Sequence, residues 1–134
     1  MAESAWKVRT TVASLLIPPA IHLMSLARLT RVLERWSAQP LEGALPDAES
    51  TAWRVDRVLH SLPWPWGHTC LKRATTLFYL LRLSGQMVQL QVGVRKEKGG
   101  ALEAHAWITL HGETILEPPA TVISSFSPIA TFGP

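Results

Sequence analysis

The hydrophobic pattern along the 134-residue chain changes period once, near Gly85. Before that glycine apolar residues recur at helical spacing; after it they alternate. The apolar stretch Val12–Ala27 and its flanks predict one or two helices over residues 1–36. Pro18 and Pro19 should break or restart the chain there, because proline lacks the amide donor and clashes inside a helix. Past the break Leu26, Leu29, Val32, Leu33 and Trp36 form an apolar stripe, and Arg28, Arg31 and Arg35 lie off it. Those arginines read as a solvated face, with docking of an acidic peptide or a partner as the functional alternative. Residues 39–46, with Pro40, Gly43 and Pro46, form a loop. Asp47 caps a helix over residues 48–60, with Glu49 in its first turn and Val55, Val58 and Leu59 toward the core. The run Leu62-Pro63-Trp64-Pro65-Trp66-Gly67 ends that helix as a rigid connector. Thr69 caps the next helix, over residues 70–83, with Ala74, Leu77, Phe78 and Leu81 buried and Gly85 as its stop.

Beyond Gly85, Val88, Leu90, Val92 and Val94 alternate with Gln89, Gln91 and Gly93, the mark of a half-buried strand. Arg95–Gly100 is a charged turn. Ala104, Ala106, Ile108 and Leu110 alternate with His105, Trp107 and Thr109 in a second strand. His111-Gly112 turns the chain into a third, Thr114–Glu117, which Pro118-Pro119 stops. Residues 120–134, rich in Ser, Thr and Pro, are expected to hug the surface or stay mobile. Helices first and antiparallel strands after is an α+β order. Length allows one domain: a helical subregion (1–60), a core segment (62–118) and a tail (120–134).

Composition narrows the function classes. The chain is 47% hydrophobic and 17% charged, which excludes wholesale disorder. One Cys excludes an internal disulfide framework and a Cys-based zinc cluster. His60, His68 and His111 lack HxxxH or HxH spacing, so no metal site is expected. Neither a GxxxxGK[ST] nor a GxGxxG motif occurs, so no nucleotide site or other cofactor is expected. A net charge of +3 favours an acidic partner and is too small to argue for nucleic acid. Val12–Ala27 follows Lys7 and Arg9 as a signal peptide would, but it is short and broken by Pro18, Pro19 and His22. It is too short to span a bilayer. A core or surface-docking helix fits better, and the free thiol then suits a reducing cytoplasm.

The chemistry-bearing residues follow from this layout. Cys70 falls at the predicted start of a helix, where unpaired amides and the macrodipole favour the nucleophilic thiolate. Lys72 and Arg73 add positive charge. The alternative for Cys70 is a buried structural thiol. His105 lies on the polar face of a strand beside Trp107; if that strand packs over the helix start, the imidazole can take the thiol proton. Otherwise it is a surface or satisfied histidine. Such a base needs a third group to fix its orientation. A two-residue turn at His111-Gly112 puts Pro118 across from His105 and turns Glu117 to the opposite face. An odd-length turn or one bulge puts Glu117 on the face of His105. Glu117 is therefore either the orienting acid or a solvated strand end. Trp64, Trp66 and His68 are close enough in sequence to Cys70 to line a peptide-binding wall, and Trp107 could shield the site; plain packing is the alternative for each tryptophan.

Residues 62–94, LPWPWGHTCLKRATTLFYLLRLSGQMVQLQVGV, and 104–118, AHAWITLHGETILEP, resemble a known family. A Pro-rich approach to a Cys, a helix closed by Arg82-Leu83-Ser84-Gly85, a strand ending in Gly-Val and an Ala-His-Ala-Trp strand occur in that order. The stretch is similar to the leader peptidase of lasso-peptide biosynthesis, the peptidase half of the split B protein. That is a small bacterial member of the transglutaminase-like superfamily.

The resemblance implies a papain-like Cys–His–acid arrangement with Cys70 as nucleophile and His105 as base. The third residue of that family is usually Asp; Glu117 holds its place with one more methylene. It also implies the substrate, a ribosomally made precursor peptide whose leader is cut from its core. The implied partners are a leader-recognition protein in trans and an ATP-dependent macrolactam cyclase. Two other readings stay open: a non-catalytic module that handles the peptide, and an acyltransferase that passes the thioester to an amine.

Overall fold

The computed structural model describes residues 2–38, 47–63, 69–97, 99–117 and 123–133, apart from the side chains of residues 2–4 and 123. Among these residues the chain forms helices α1 (Ala2–Leu23), α2 (Leu26–Trp36), α3 (Ala48–His60) and α4 (Cys70–Leu83). Strands β1 (Val88–Lys96), β2 (Leu102–Leu110), β3 (Glu113–Ile115) and β4 (Ser127–Phe132) follow. They build one antiparallel sheet in the order β3-β2-β1-β4. The fold is α+β, as the order of helical and alternating segments requires.

Three helix starts carry a side-chain cap. Ser25 Oγ accepts from the Arg28 amide, Asp47 Oδ1 from the Ser50 amide at 2.7 Å, and Thr69 Oγ1 from the Lys72 amide at 3.3 Å. Each satisfies an amide that the first helical turn leaves unpaired. The bond from the Ser50 amide holds the Asp47 carboxyl below its usual range. At the end of α4 the Gln86 amide reaches the Leu81 carbonyl and the Gly85 amide the Arg82 carbonyl, with Gly85 at φ 92°. This Schellman closure needs a left-handed residue, and glycine adopts it without steric cost.

α4 is the centre of the fold. Leu77, Phe78, Leu80 and Leu81 are buried, and the helix is packed by α1, α2 and α3 and by β1 and β2. Val88 and Leu90 of β1 and Ala106 and Ile108 of β2 join the same core. On the helical side Trp6 Nε1 donates to Thr51 Oγ1 at 3.2 Å, tying α1 to α3 inside the core.

Two expectations in the helical part are corrected. Pro18 and Pro19 do not break α1; it runs through both and ends at Leu23, and α2 restarts at the Ser25 cap. The buried positions Trp6, Thr10, Ala13, Ser14 and Ile17 keep one helical stripe in phase up to the prolines, and Ile21 continues it beyond. Burial of that stripe offsets the two lost amide donors, which together cost several kcal/mol in an isolated helix. Trp36 is the second correction: it closes the α2 stripe by spacing, yet is 68% exposed. Leu29 and Leu33 of that stripe are buried as expected.

The tail also differs from expectation. Residues 127–132 are a strand that pairs with β1 on its outer edge, with Ile129 as the extra residue of a bulge between the Val92–Ala130 and Gly93–Pro128 pairs. Its Pro128 has no amide to give the ladder, which suits an edge strand with a bulge. β3 ends at Ile115, two residues short of the expected Glu117. The 39–46 loop, the 64–68 part of the connector, and Pro118 and Pro119 lie outside the described residues.

If α1 is continuous through the prolines, replacing Pro19 with alanine restores one backbone bond inside a helix. Pro19→Ala is expected to raise unfolding free energy by about 1–2 kcal/mol. Urea denaturation checks this, and a helix broken at that point would show no gain.

Candidate active site

Register across the β2–β3 hairpin decides what stands beside His105. The turn is the two-residue form: Leu110 pairs with Glu113, and His111 and Gly112 have φ of 52° and 82°. Positive φ at both central positions is the type I′ geometry whose twist matches a right-handed strand pair. Extended in regular fashion, this hairpin would place Glu117 on the face opposite His105. The strand is not regular. Leu116 sits at φ 62°, a left-handed conformation that costs a branched residue about 1–2 kcal/mol. That single rotation acts as the bulge would have done. The Leu116 side chain packs on the helix-side core, and Glu117 is delivered to the other face.

There His105 Nε2 donates to Glu117 Oε2 at 3.1 Å. The two side chains are only 18% and 10% exposed. Low exposure strengthens the bond and makes it costly to break, since a carboxylate left alone there would be desolvated. Two aromatic rings frame the imidazole. Trp107 stacks beside it at a centroid distance of 5.9 Å, and Phe126 lies tilted at 5.3 Å.

Two neighbours hold that frame. Gly93 is directly across the ladder from His105, and the Trp107 indole covers it diagonally. A Cβ on Gly93 would lie 2.7 Å from the Trp107 ring, so only glycine lets the indole lie flat there. Arg95 straps the segment before β4 onto this face. Its guanidinium lies 4.5 Å from the Phe126 centroid, donates to Ser125 Oγ at 2.9 Å and bonds Glu103 at 2.7 Å. The arginine beside it holds the Glu103 carboxyl below its usual range.

Cys70 is the first residue of α4, directly after the Thr69 cap, and is half-buried against the helix-side core. No acidic residue lies in the first turn of α4 to offset its positive end. Arg73 is held by Asp56 of α3 at 2.7 Å, and Lys72 is buried. Ala106 and Ile108 face α4, so alternation along β2 points His105 and Trp107 to the other side. The structure thus brings His105, Glu117 and Trp107 together. Among the described residues it does not join Cys70 to them by a hydrogen bond. Trp64, Trp66 and His68, the expected substrate wall, lie outside the described residues. No group of three metal-ligating side chains occurs among the described residues, and no helix there is long and apolar enough to cross a membrane.

Spacing alone did not point to Gly93, Arg95 or Phe126. A glycine inside an alternating strand was the available signal for Gly93, since such a residue marks close approach of another group. Nothing in the sequence pairs Phe126 with His105. Gly93→Ala is expected to lower stability by about 1–3 kcal/mol through overpacking against Trp107. Gly93→Ala combined with Trp107→Leu should recover part of that loss, a coupling measurable by a double-mutant cycle in urea.

Comparison with known proteins adds the family. Neither the curated proteins nor the solved structures returned a match. A family model described as the transglutaminase-like superfamily matches residues 13–131, nearly the whole chain. That superfamily includes cysteine proteases and acyltransferases, and this chain belongs to it.

Proposed function

We propose that this protein is a cysteine peptidase that removes the leader from a ribosomally made lasso precursor peptide. The observation that carries the reading is the half-buried His105–Glu117 pair, in a superfamily member whose single Cys begins a helix. A base held by a carboxylate at one ring nitrogen has a fixed tautomer and presents the other. With Nε2 given to Glu117, Nδ1 is the atom that receives the thiol proton. Glu117 then stabilises the imidazolium that forms, its carboxylate reaching the ring at 3.1 Å despite the extra methylene relative to Asp.

The chemistry would be acyl transfer in two steps. The Cys70 thiolate adds to the scissile carbonyl, and the amide of Cys70 with one donor from the preceding loop would hold the oxyanion. His105 returns its proton to the leaving amine. Water, deprotonated by the same imidazole, then opens the thioester and releases the acid product. Trp64, Trp66 and His68 would wall the peptide channel and Trp107 would exclude water. A leader-recognition protein in trans and an ATP-dependent macrolactam cyclase would complete the system, in the cytoplasm. These partners and the substrate rest on the resemblance of residues 62–118 to the leader peptidases.

Cys70→Ala and His105→Ala are each expected to reduce leader cleavage at least about 10³-fold, assayed with the recognition partner present. Full activity in either variant would refute the peptidase. Glu117→Gln keeps the shape of the pair and removes its charge, and should cut turnover by about two to four orders of magnitude with little change in KM. Equal effects on substrate binding would make Glu117 a binding residue instead.

The placement of Cys70 on the helix side of the sheet favours a second reading, a non-catalytic module that hands the peptide on. Iodoacetamide separates the two. A thiol that shares its proton with His105 is alkylated at neutral pH at least about tenfold faster in the native chain than in His105→Ala. Equal rates, with function intact after alkylation, favour the module. Product mass distinguishes hydrolysis from transfer to an amine.

A further inference from the structure

A concave apolar groove of about 580 Å³ lies between α1, α2 and Tyr79 of α4. Val8, Arg9, Val12, Leu16, Trp36 and Tyr79 line it. Val8 is 65% exposed, Leu16 66% and Trp36 68%, values at odds with their apolar character. A surface of this kind marks an interaction site rather than scattered exposure. Trp53, also exposed, is a different case because the Arg57 guanidinium covers its ring at 5.1 Å.

Charge is concentrated on the same two helices. Residues 1–38 carry five basic side chains (Lys7, Arg9, Arg28, Arg31, Arg35) against two acidic ones (Glu3, Glu34). Residues 39–134 carry eight of each sign. The whole net charge of +3 therefore belongs to the α1–α2 segment. Arg9 lies in the groove itself, and Arg28, Arg31 and Arg35 are exposed on α2.

We propose that this groove docks an acidic amphipathic helix of a partner protein. The floor offered by α1 from Ala5 to Leu16 is about 16 Å of helix, three turns, enough to receive apolar anchors spaced i, i+3, i+4 and i+7. Trp36 forms an exposed aromatic wall of the kind that carries much of the energy in helix-in-groove complexes. Acidic residues on the outer flank of the guest would meet the arginines, raising the association rate and rejecting basic helices. A second copy of this chain would bring the same positive segment against itself. An anionic membrane surface favours protruding apolar side chains over a concave channel. None of Cys70, His105 and Glu117 lines the groove, so the docking site stands or falls separately from the peptidase reading.

The test uses the full chain and a fluorescein-labelled synthetic helix of about 14 residues, with Leu at the anchor positions and Glu on the remaining face, beside a twin carrying Lys for Glu. Fluorescence anisotropy at low salt should show the acidic helix bound at least about tenfold more tightly than its basic twin. Trp36→Ser and Arg9→Glu should each weaken it about tenfold, while Trp53→Ser should leave it unchanged. Both tryptophans are exposed, and urea midpoints within error of the native chain show that the variants fold. Equal affinity for the two helices, or binding unaffected by Trp36→Ser, would overturn the proposal. So would sedimentation of a dimer that Trp36→Ser dissolves. Binding to phosphatidylglycerol-containing vesicles but not to the acidic helix, lost in Trp36→Ser, would assign the groove to a lipid surface instead.

Discussion

The packing of α4 between the other helices and the sheet is the contact on which the rest depends. Leu77, Phe78 and Leu81 share one core with Val88, Leu90 and Ile108 on the strand side and with residues of α1, α2 and α3 on the other. A helix buried this completely draws its stability from burial rather than intrinsic propensity. Because α4 begins at Cys70, the same packing sets where the lone thiol stands. Because β1 follows after the Gly85 closure, it also sets which face of the sheet is turned inward.

The far face of the sheet is a second, smaller assembly. His105, Trp107 and Phe126 cluster there outside the main core, and Arg95 fastens the chain before β4 over them. The hydrogen bond between His105 and Glu117 depends on a local conformational cost at Leu116. Backbone held in a sparsely populated region persists only where surrounding contacts over-determine it. Leu116 meets that condition by burying its side chain in the core while its backbone redirects the next residue.

Much of the element plan was legible in the sequence. Asp47, Thr69 and Gly85 announce their helix ends because capping is a local interaction, decided within four residues. The alternation of Val88–Val94 and of Ala104–Leu110 gives β1 and β2 because a half-buried strand must repeat every second residue. The turn at His111-Gly112 and the candidacy of His105 follow from the same alternation. The prolines misled because their cost is local while the burial that offsets it is not. The last strand was hidden because an edge strand rich in Ser, Thr and Pro carries little hydrophobic signal.

By itself the sequence determined the order of elements through β3, the α+β class and the position of the single Cys at a helix start, all consequences of short-range periodicity and caps. The tertiary structure alone decided that Glu117 reaches His105, through one left-handed residue that no periodicity foretells. It also decided that Trp36 faces outward and that His105 turns away from the face of β2 that packs on α4, since facing depends on which neighbours fill the core. Propensity acts along the chain, whereas side-chain meetings are settled by packing across it.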